Sequence, residues 1–243
     1  MNWHTFLSDK LPILTDNWLM FVEGAWTTLW LVTSALALGL LIAIPCGIVL
    51  ATSKRAWLRW PVAAYSYCFR GTPLLIQAYI FYYGIGIQVG NLPGIEESFW
   101  WPILQEAWCW ALLTLTLNTG AYTCEIVRGA IETTPHGEIE AAKAMGMSRW
   151  LMLRRIVLPS AFRRALGMYS NEIIFLLQGS AIISVITIVD ITGVARNLYA
   201  TYYEPYIPFM AAGLIYLIIV CGVVLGARGV EKRWLRHFKT QPR

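Results

Sequence analysis

Polar side chains inside apolar sequence are the first candidates for chemistry, because an ionised group at the centre of a bilayer costs about 3 kcal/mol on insertion scales. Arg70 stands in the run CFRGTPLLIQ, about 15 Å into an apolar segment by helical rise from Trp60. Asn118 and Glu125 interrupt a second apolar segment, with Glu125 near its end. Asn171, Glu172 and Gln178 interrupt a third. Two readings are open. These groups line a polar path, a carboxylate such as Glu172 facing a cationic solute and Arg70 facing a carboxylate. Alternatively they pair with one another or with a partner subunit and hold helices together. Gly71, Thr72 and Pro73 predict a break or bend beside Arg70, because proline removes an intrahelical bond. Broken helices persist at membrane depth only against protein or a water-filled cavity.

A second kind of chemistry, mechanical rather than covalent, is suggested by residues 137–159, GEIEAAKAMGMSRWLMLRRIVLP. This is the longest charged interruption in the chain. Thr134 and Pro135 predict a helix start, with proline tolerated in the first turn. Glu138 and Glu140 follow where carboxylates favour the helix dipole. Gly146 predicts a stop in the left-handed conformation. Ser148 is then expected to cap a short second helix over 149–158, with Pro159 opening the next segment. The stretch is too polar to cross a membrane. As an elbow between two spans, with Ile139, Ala142, Met145 and Met147 as apolar contacts, it is a handle on which a soluble partner can push.

The elements that must position these residues are membrane spans. Of 243 residues only 14% are charged, against about 25% in soluble domains, and mean hydropathy is +0.54. Hydropathy predicts an all-α membrane protein with five spans, near 18–51, 60–86, 108–131, 160–189 and 206–227. Residues 1–18 are expected to be an amphipathic lead-in, 19–228 the transmembrane domain with its elbow over 132–159, and 229–243 a basic tail. Pro45 and Gly47 are expected to bend the first span, and residues 190–205 to form a loop. The first span is expected to act as its own insertion signal. Sixteen of the 19 Lys and Arg fall in the loop at 54–59, in 128–164 and from Arg228 onward. All three regions lie on one side of a five-span chain. The positive-inside rule therefore puts the elbow and C-terminus in the cytoplasm and the N-terminus outside. The five cysteines lie in apolar runs without a CxxC pair, and His4, His136 and His237 make no metal pair. GxxxxGK[ST], HExxH and GxSxG are absent, so neither P-loop ATP binding nor common hydrolase chemistry is signalled. A membrane-embedded enzyme would lack a nucleophile–base constellation. A self-sufficient channel or secondary carrier remains the alternative, although no internal inverted repeat is evident.

Glu140, Ala141 and Ala142, then Gly146, then Ile156, Leu158 and Pro159 have the spacing of the EAA signature of bacterial ABC importer membrane subunits. The runs FRGTPLLIQ, LNTGAYTCEIVRGAI, PHGEIEAAKAMGMS and YSNEII make the chain similar to the polar amino-acid branch, nearest the histidine, arginine–ornithine and opine permeases. The run 178–181 departs from the residues common there. The resemblance covers nearly the whole chain. It implies a type I importer fold and import of a polar, basic amino acid or opine by alternating access at the bacterial inner membrane. A neutral or acidic polar amino acid is the alternative solute. The resemblance also implies a non-catalytic subunit that binds no cofactor, with ATP and Mg used by a partner ATPase. The implied partners are a second similar permease chain forming a heterodimer, two ATPase subunits, a periplasmic binding protein and membrane lipid, with no nucleic acid. Glu138, Glu140, Ala141, Ala142, Ala144 and Gly146 would contact the ATPase. Arg70, Asn118, Asn171, Glu172 and Gln178 are the candidates for the solute path.

Overall fold

A computed structural model describes the backbone of residues 3–234 and the side chains of residues 11–233; Arg236, Lys239 and Arg243 of the expected basic tail lie outside the described residues. Among the described residues all regular structure is helical. Helix α1, Trp3–Thr52, has non-helical dihedrals only at Asn17 (φ −117°, ψ 16°), beside the expected boundary at residue 18. The Asn17 side-chain amide donates to the Ile13 carbonyl at 2.9 Å, which occupies an acceptor of the interrupted ladder. Pro45 and Gly47, expected to bend the span, keep helical dihedrals.

The expected second span is two pieces. Helix α2, Ala56–Gly71, stops at the foreseen break, and the chain resumes as α3, Leu74–Tyr79, a π-helical turn Ile80–Gly86 and α4, Ile87–Gly90. Gln77 closes the break by donating from Nε2 to the Thr72 carbonyl (3.0 Å) and Oγ1 (2.8 Å). After α5, Trp101–Leu104, comes α6, Ala107–Glu132. Its 26 residues rise about 39 Å, more than the roughly 30 Å of a hydrocarbon core. The elbow contains α7, His136–Ala144, and α8, Arg149–Met152. A π turn Leu153–Val157 then leads into α9, Leu158–Ser180, followed by the 3₁₀ turn Ala181–Ile186. Helices α10, Ile191–Tyr202, and α11, Tyr206–Trp234, complete the order. Three described stretches are long and apolar enough by themselves to cross a membrane: Leu11–Thr52, Arg149–Ile186 and Tyr206–Arg233.

Two expectations are corrected here. The second elbow helix does not end before Pro159, because helix runs without a break from Arg149 through Ser180. The π turn explains how. The Leu158 N–H reaches back five residues to the Leu153 carbonyl, which widens the turn just where the Pro159 ring would crowd the ladder. Residues 190–205, expected as a loop, hold the 12-residue α10. Asp190 caps it, accepting from the Gly193 N–H at 2.7 Å.

The chain divides into two compact units. The first takes in the described residues up to Ala35, 72–116 and 175–222. Its core sets Ile191, Val194, Ala195 and Leu198 of α10 against Phe21 and Ala212. Around the cap, the Tyr216 hydroxyl donates to Asp190 Oδ2 at 3.1 Å, and the Ile191 N–H donates to Thr28 Oγ1 at 3.4 Å. The second unit takes in 36–71, 117–174 and the described residues from Val223. There Ala130, Ile131, Val157 and Ala161 form one cluster, and Ala43, Leu50 and Cys124 another. Gly47 permits the second cluster: a Cβ there would lie 2.7 Å from Val127 side-chain atoms and 2.8 Å from the Cys124 carbonyl.

Candidate functional site

The elbow belongs to the second unit and is built from the end of α6 outward. Thr134, expected to start α7, instead bonds back to the Ile131 carbonyl at 2.7 Å and is buried. Pro135 takes the N-cap position without a side-chain cap bond, which suits a residue that has no N–H and a fixed φ. Glu138 in the first turn and Lys143 in the last complement the helix dipole. At the other end the Met147 N–H bonds the Ala142 carbonyl (3.1 Å) and the Gly146 N–H bonds the Lys143 carbonyl (2.9 Å). With Gly146 at φ +72°, this is a Schellman ending. Ser148 caps α8, its Oγ accepting from the Leu151 N–H at 3.3 Å.

One residue holds the elbow's root, and its role was not visible from its position in the sequence. Arg164 of α9 donates to the Ala130 carbonyl (3.3 and 2.9 Å), Thr134 Oγ1 (2.8 Å) and Ser160 Oγ (2.6 Å). The planar fork thereby ties the Ala130 carbonyl of α6 and the Thr134 hydroxyl just past its end to α9, and α7 hangs from that junction. In the sequence Arg164 reads only as one more positive charge.

Of the expected coupling residues, Ala142 is buried, Glu138 is half-buried, and Glu140, Ala141, Ala144 and Gly146 are exposed. Of the apolar contacts foreseen, Met145 is instead 66% exposed, and Trp150 in α8 is 68% exposed. A groove of about 380 Å³ runs between α7 and the start of the α8–α9 helix, lined by Glu138, Ala141, Met145, Arg155 and Ile156. The elbow thus presents a short helix whose charges complement its dipole, held at its root by Arg164 and closed by the Schellman turn, with Met145 exposed at its end.

The polar groups inside the apolar segments sort themselves differently. Glu172 is buried and accepts from Thr119 Oγ1 at 2.8 Å. Asn118 is buried and donates to the Phe69 carbonyl at 3.4 Å. Arg70 pairs with Glu125 (Nη1 to Oε1, 3.4 Å) and lies over the Tyr122 ring at 5.7 Å. Glu125 also receives Arg128 Nε at 2.7 Å and the Ser66 hydroxyl at 2.9 Å. Asn171 and Gln178 are exposed. Arg70 and Glu172 therefore do not meet each other: the structure gives each a separate partner.

A family profile described as "Binding-protein-dependent transport system inner membrane component" matches residues 43–236. The chain belongs to this family of membrane subunits of ATP-driven importers, which work with an ATPase and a substrate-binding protein. It is 41% identical over 204 residues to the octopine transport system permease protein OccM of Rhizobium meliloti, covering 84% of this chain and 81% of the relative. It is 40% identical over 228 residues to the histidine/lysine/arginine/ornithine transport system permease protein HisM of Escherichia coli (strain K12), covering 94% of each. Among solved structures, an amino acid ABC transporter crystallised with histidines matches with a TM-score of 0.79 and 27% identity, over 90% of this chain and 96% of that one. An inward-facing MetNI methionine ABC transporter matches with a TM-score of 0.75 over 90% and 98%, and at 19% identity shares the fold.

Proposed function

We propose that this chain is the permease subunit of an importer for a basic amino acid, such as histidine, lysine, arginine or ornithine, or for an opine. The observation that carries the coupling part is α7 itself, a nine-residue helix between a clamped root and a Schellman turn, with exposed Met145 and Trp150 alongside. In this reading Glu138, Glu140, Ala141, Ala142, Ala144 and Gly146 belong to the element that sits on the ATPase. ATP-driven closure of two ATPase subunits pulls the α7 elbows of two paired, similar permease chains, and the membrane path alternates its access. A periplasmic binding protein delivers the solute. ATP and Mg act in the partner ATPase, and this chain holds no cofactor and catalyses no reaction. The N-terminus faces the periplasm and the C-terminus the cytoplasm.

The cationic solute is supported by the names of the relatives and by Glu172, a buried carboxylate with one hydroxyl donor and spare acceptor capacity. A cation in a low-dielectric path gains from such a partner. Arg70, Asn118, Asn171 and Gln178 are the other path candidates, with Arg70 already engaged by Glu125.

The deciding experiment is binding-protein-stimulated ATP hydrolysis in nanodiscs containing this chain, its partner permease and the ATPase. Stimulation by protein loaded with histidine, lysine, arginine, ornithine or octopine is expected. Stimulation by glutamine alone would overturn the basic solute and keep the importer. Alkaline phosphatase and fluorescent-protein fusions at the C-terminus test orientation: an active phosphatase there would reverse the topology.

A further inference from the structure

A pocket unrelated to the elbow lies in the second unit, at the junction of α1, α2 and α6. It is an open cleft of about 490 Å³, within the range of sites that hold small ligands. Four cations line it: Lys54, Arg59, Arg70 and Arg128. The lining holds one carboxylate, Glu125, which is spent on Arg70 and Arg128, and Arg128 also pairs with Glu132 at 3.7 Å, so the uncompensated charge is that of Lys54 and Arg59. Lys54 and Arg59 have no carboxylate partner among the described residues. The rest of the wall is amphipathic or apolar. Leu50 and Ala63 contribute aliphatic surface, and Trp60 and Tyr67, 75% and 81% exposed, flank it. Trp57, 69% exposed, is on the same helix.

From this arrangement we infer that the pocket binds the headgroup phosphate of an anionic phospholipid. The charge balance calls for an anion. Arginine forks match phosphate oxygens in pairs, and lysine adds a point charge. The exposed indole and phenol rings belong at headgroup depth, and the aliphatic wall beside them receives the first carbons of an acyl chain. Basic pockets between membrane helices on the cytoplasmic side take anionic headgroups by this logic. A soluble anion would use the cations and leave the aromatic and aliphatic wall without a role. The choice of the cytoplasmic leaflet rests on the orientation proposed above; the chemistry of the pocket does not.

The test is native mass spectrometry of the delipidated transporter complex in detergent, titrated with phosphatidylglycerol or with phosphatidylcholine of the same acyl chains. Micelles have no sidedness, so an error in orientation leaves this result unchanged. Saturable binding that prefers phosphatidylglycerol by about tenfold is expected, and Lys54→Gln with Arg59→Gln abolishes the preference. Lys54→Arg with Arg59→Lys, which keeps the charge, retains it. Arg149→Gln with Arg154→Gln, which removes equal charge elsewhere, also retains it. If the double Gln variant does not assemble, Arg59→Gln alone is compared with Arg59→Lys, and the neutral one alone should weaken the preference. Equal affinity for the two lipids, or equal preference in the neutral and charge-keeping variants, overturns the site. Complete displacement of phosphatidylglycerol by millimolar inorganic phosphate overturns the lipid as occupant.

Discussion

Gly146 sits at φ +72°, and no atom lies within 4 Å of the place a Cβ would occupy, so its own chain asks it for a conformation and not for space. Substitution by alanine should cost roughly 1–2 kcal/mol locally, the penalty of an L-residue in the left-handed region. Asparagine tolerates that region better. Gly146→Asn is therefore expected to keep coupled uptake and ATP hydrolysis, while Gly146→Val keeps membrane insertion and uncouples the two. If both substitutions uncouple, the ATPase surface itself excludes a side chain there. At Arg164 the expectation concerns stability. Arg164→Gln breaks the fork that ties Ala130, Thr134 and Ser160 together and should cost about 2–4 kcal/mol. Thermal unfolding of the purified complex checks it, and Arg164→Lys should recover only part, because an ammonium cannot reproduce the planar fork. Glu172→Gln is a matter of charge: it should depress arginine uptake about tenfold while sparing a neutral solute. Equal loss for both would make Glu172 a bracing residue. Glu172 and Gly146 stood out in the sequence because their types are costly or special where they stand. Thr119 and Arg164 did not, since hydroxyls are ordinary on membrane helices and arginine is ordinary at their ends. Only the packing of α6 against α9 gives those two their partners.

At the scale of elements, hydropathy made the long apolar stretches legible, and Gly71–Pro73 made the break after α2 legible. It misplaced α10. Asp190, Thr192, Gly193, Arg196 and Asn197 gave residues 190–205 the composition of a turn. Yet Ile191, Val194, Ala195 and Leu198 carry the helical period, and Asp190 has the type of an N-cap. The continuous α8–α9 helix was missed for a different reason: a proline normally marks an end, and the π turn that accommodates Pro159 has no signature in sequence. The Asp190 cap gives α10 its own prediction. Asp190→Ala removes the acceptor of the Gly193 N–H, in a buried setting, and of the Tyr216 hydroxyl, in a part-buried one. A loss of about 2–3 kcal/mol is expected, and Asp190→Asn should lose clearly less because its amide oxygen can still cap. Equal losses by thermal unfolding would mean that the negative charge, and not the cap, holds α10.

For the whole molecule, the exposed apolar residues divide by what must cover them. Those along the spans have lipid to cover them, but Met145 and Trp150 belong to the elbow, which lies in the cytoplasm in the orientation proposed above. Large apolar side chains grouped at a water-facing surface mark a protein interface, and aromatic side chains at the centre of an interface carry a disproportionate share of its energy. Trp150→Lys should therefore weaken capture of the ATPase more than tenfold, about 1.4 kcal/mol or more, with Met145→Lys smaller. Both should leave the amount of inserted permease and its pairing with a second permease chain unchanged, because both side chains are exposed and neither joins a buried cluster among the described residues. Co-purification of the ATPase on a tag carried by this chain, read beside the yield of the paired permease, separates the outcomes. Loss of both partners together would place Trp150 in the permease's own folding, and undiminished ATPase capture would move the docking surface away from the elbow. The same substitutions act oppositely on the two energy terms of the assembly: they remove apolar surface from the proposed docking face and add charge on a stretch that is already basic. A lost ATPase with an intact membrane subunit is thus the outcome that assigns α7 and its neighbours to coupling.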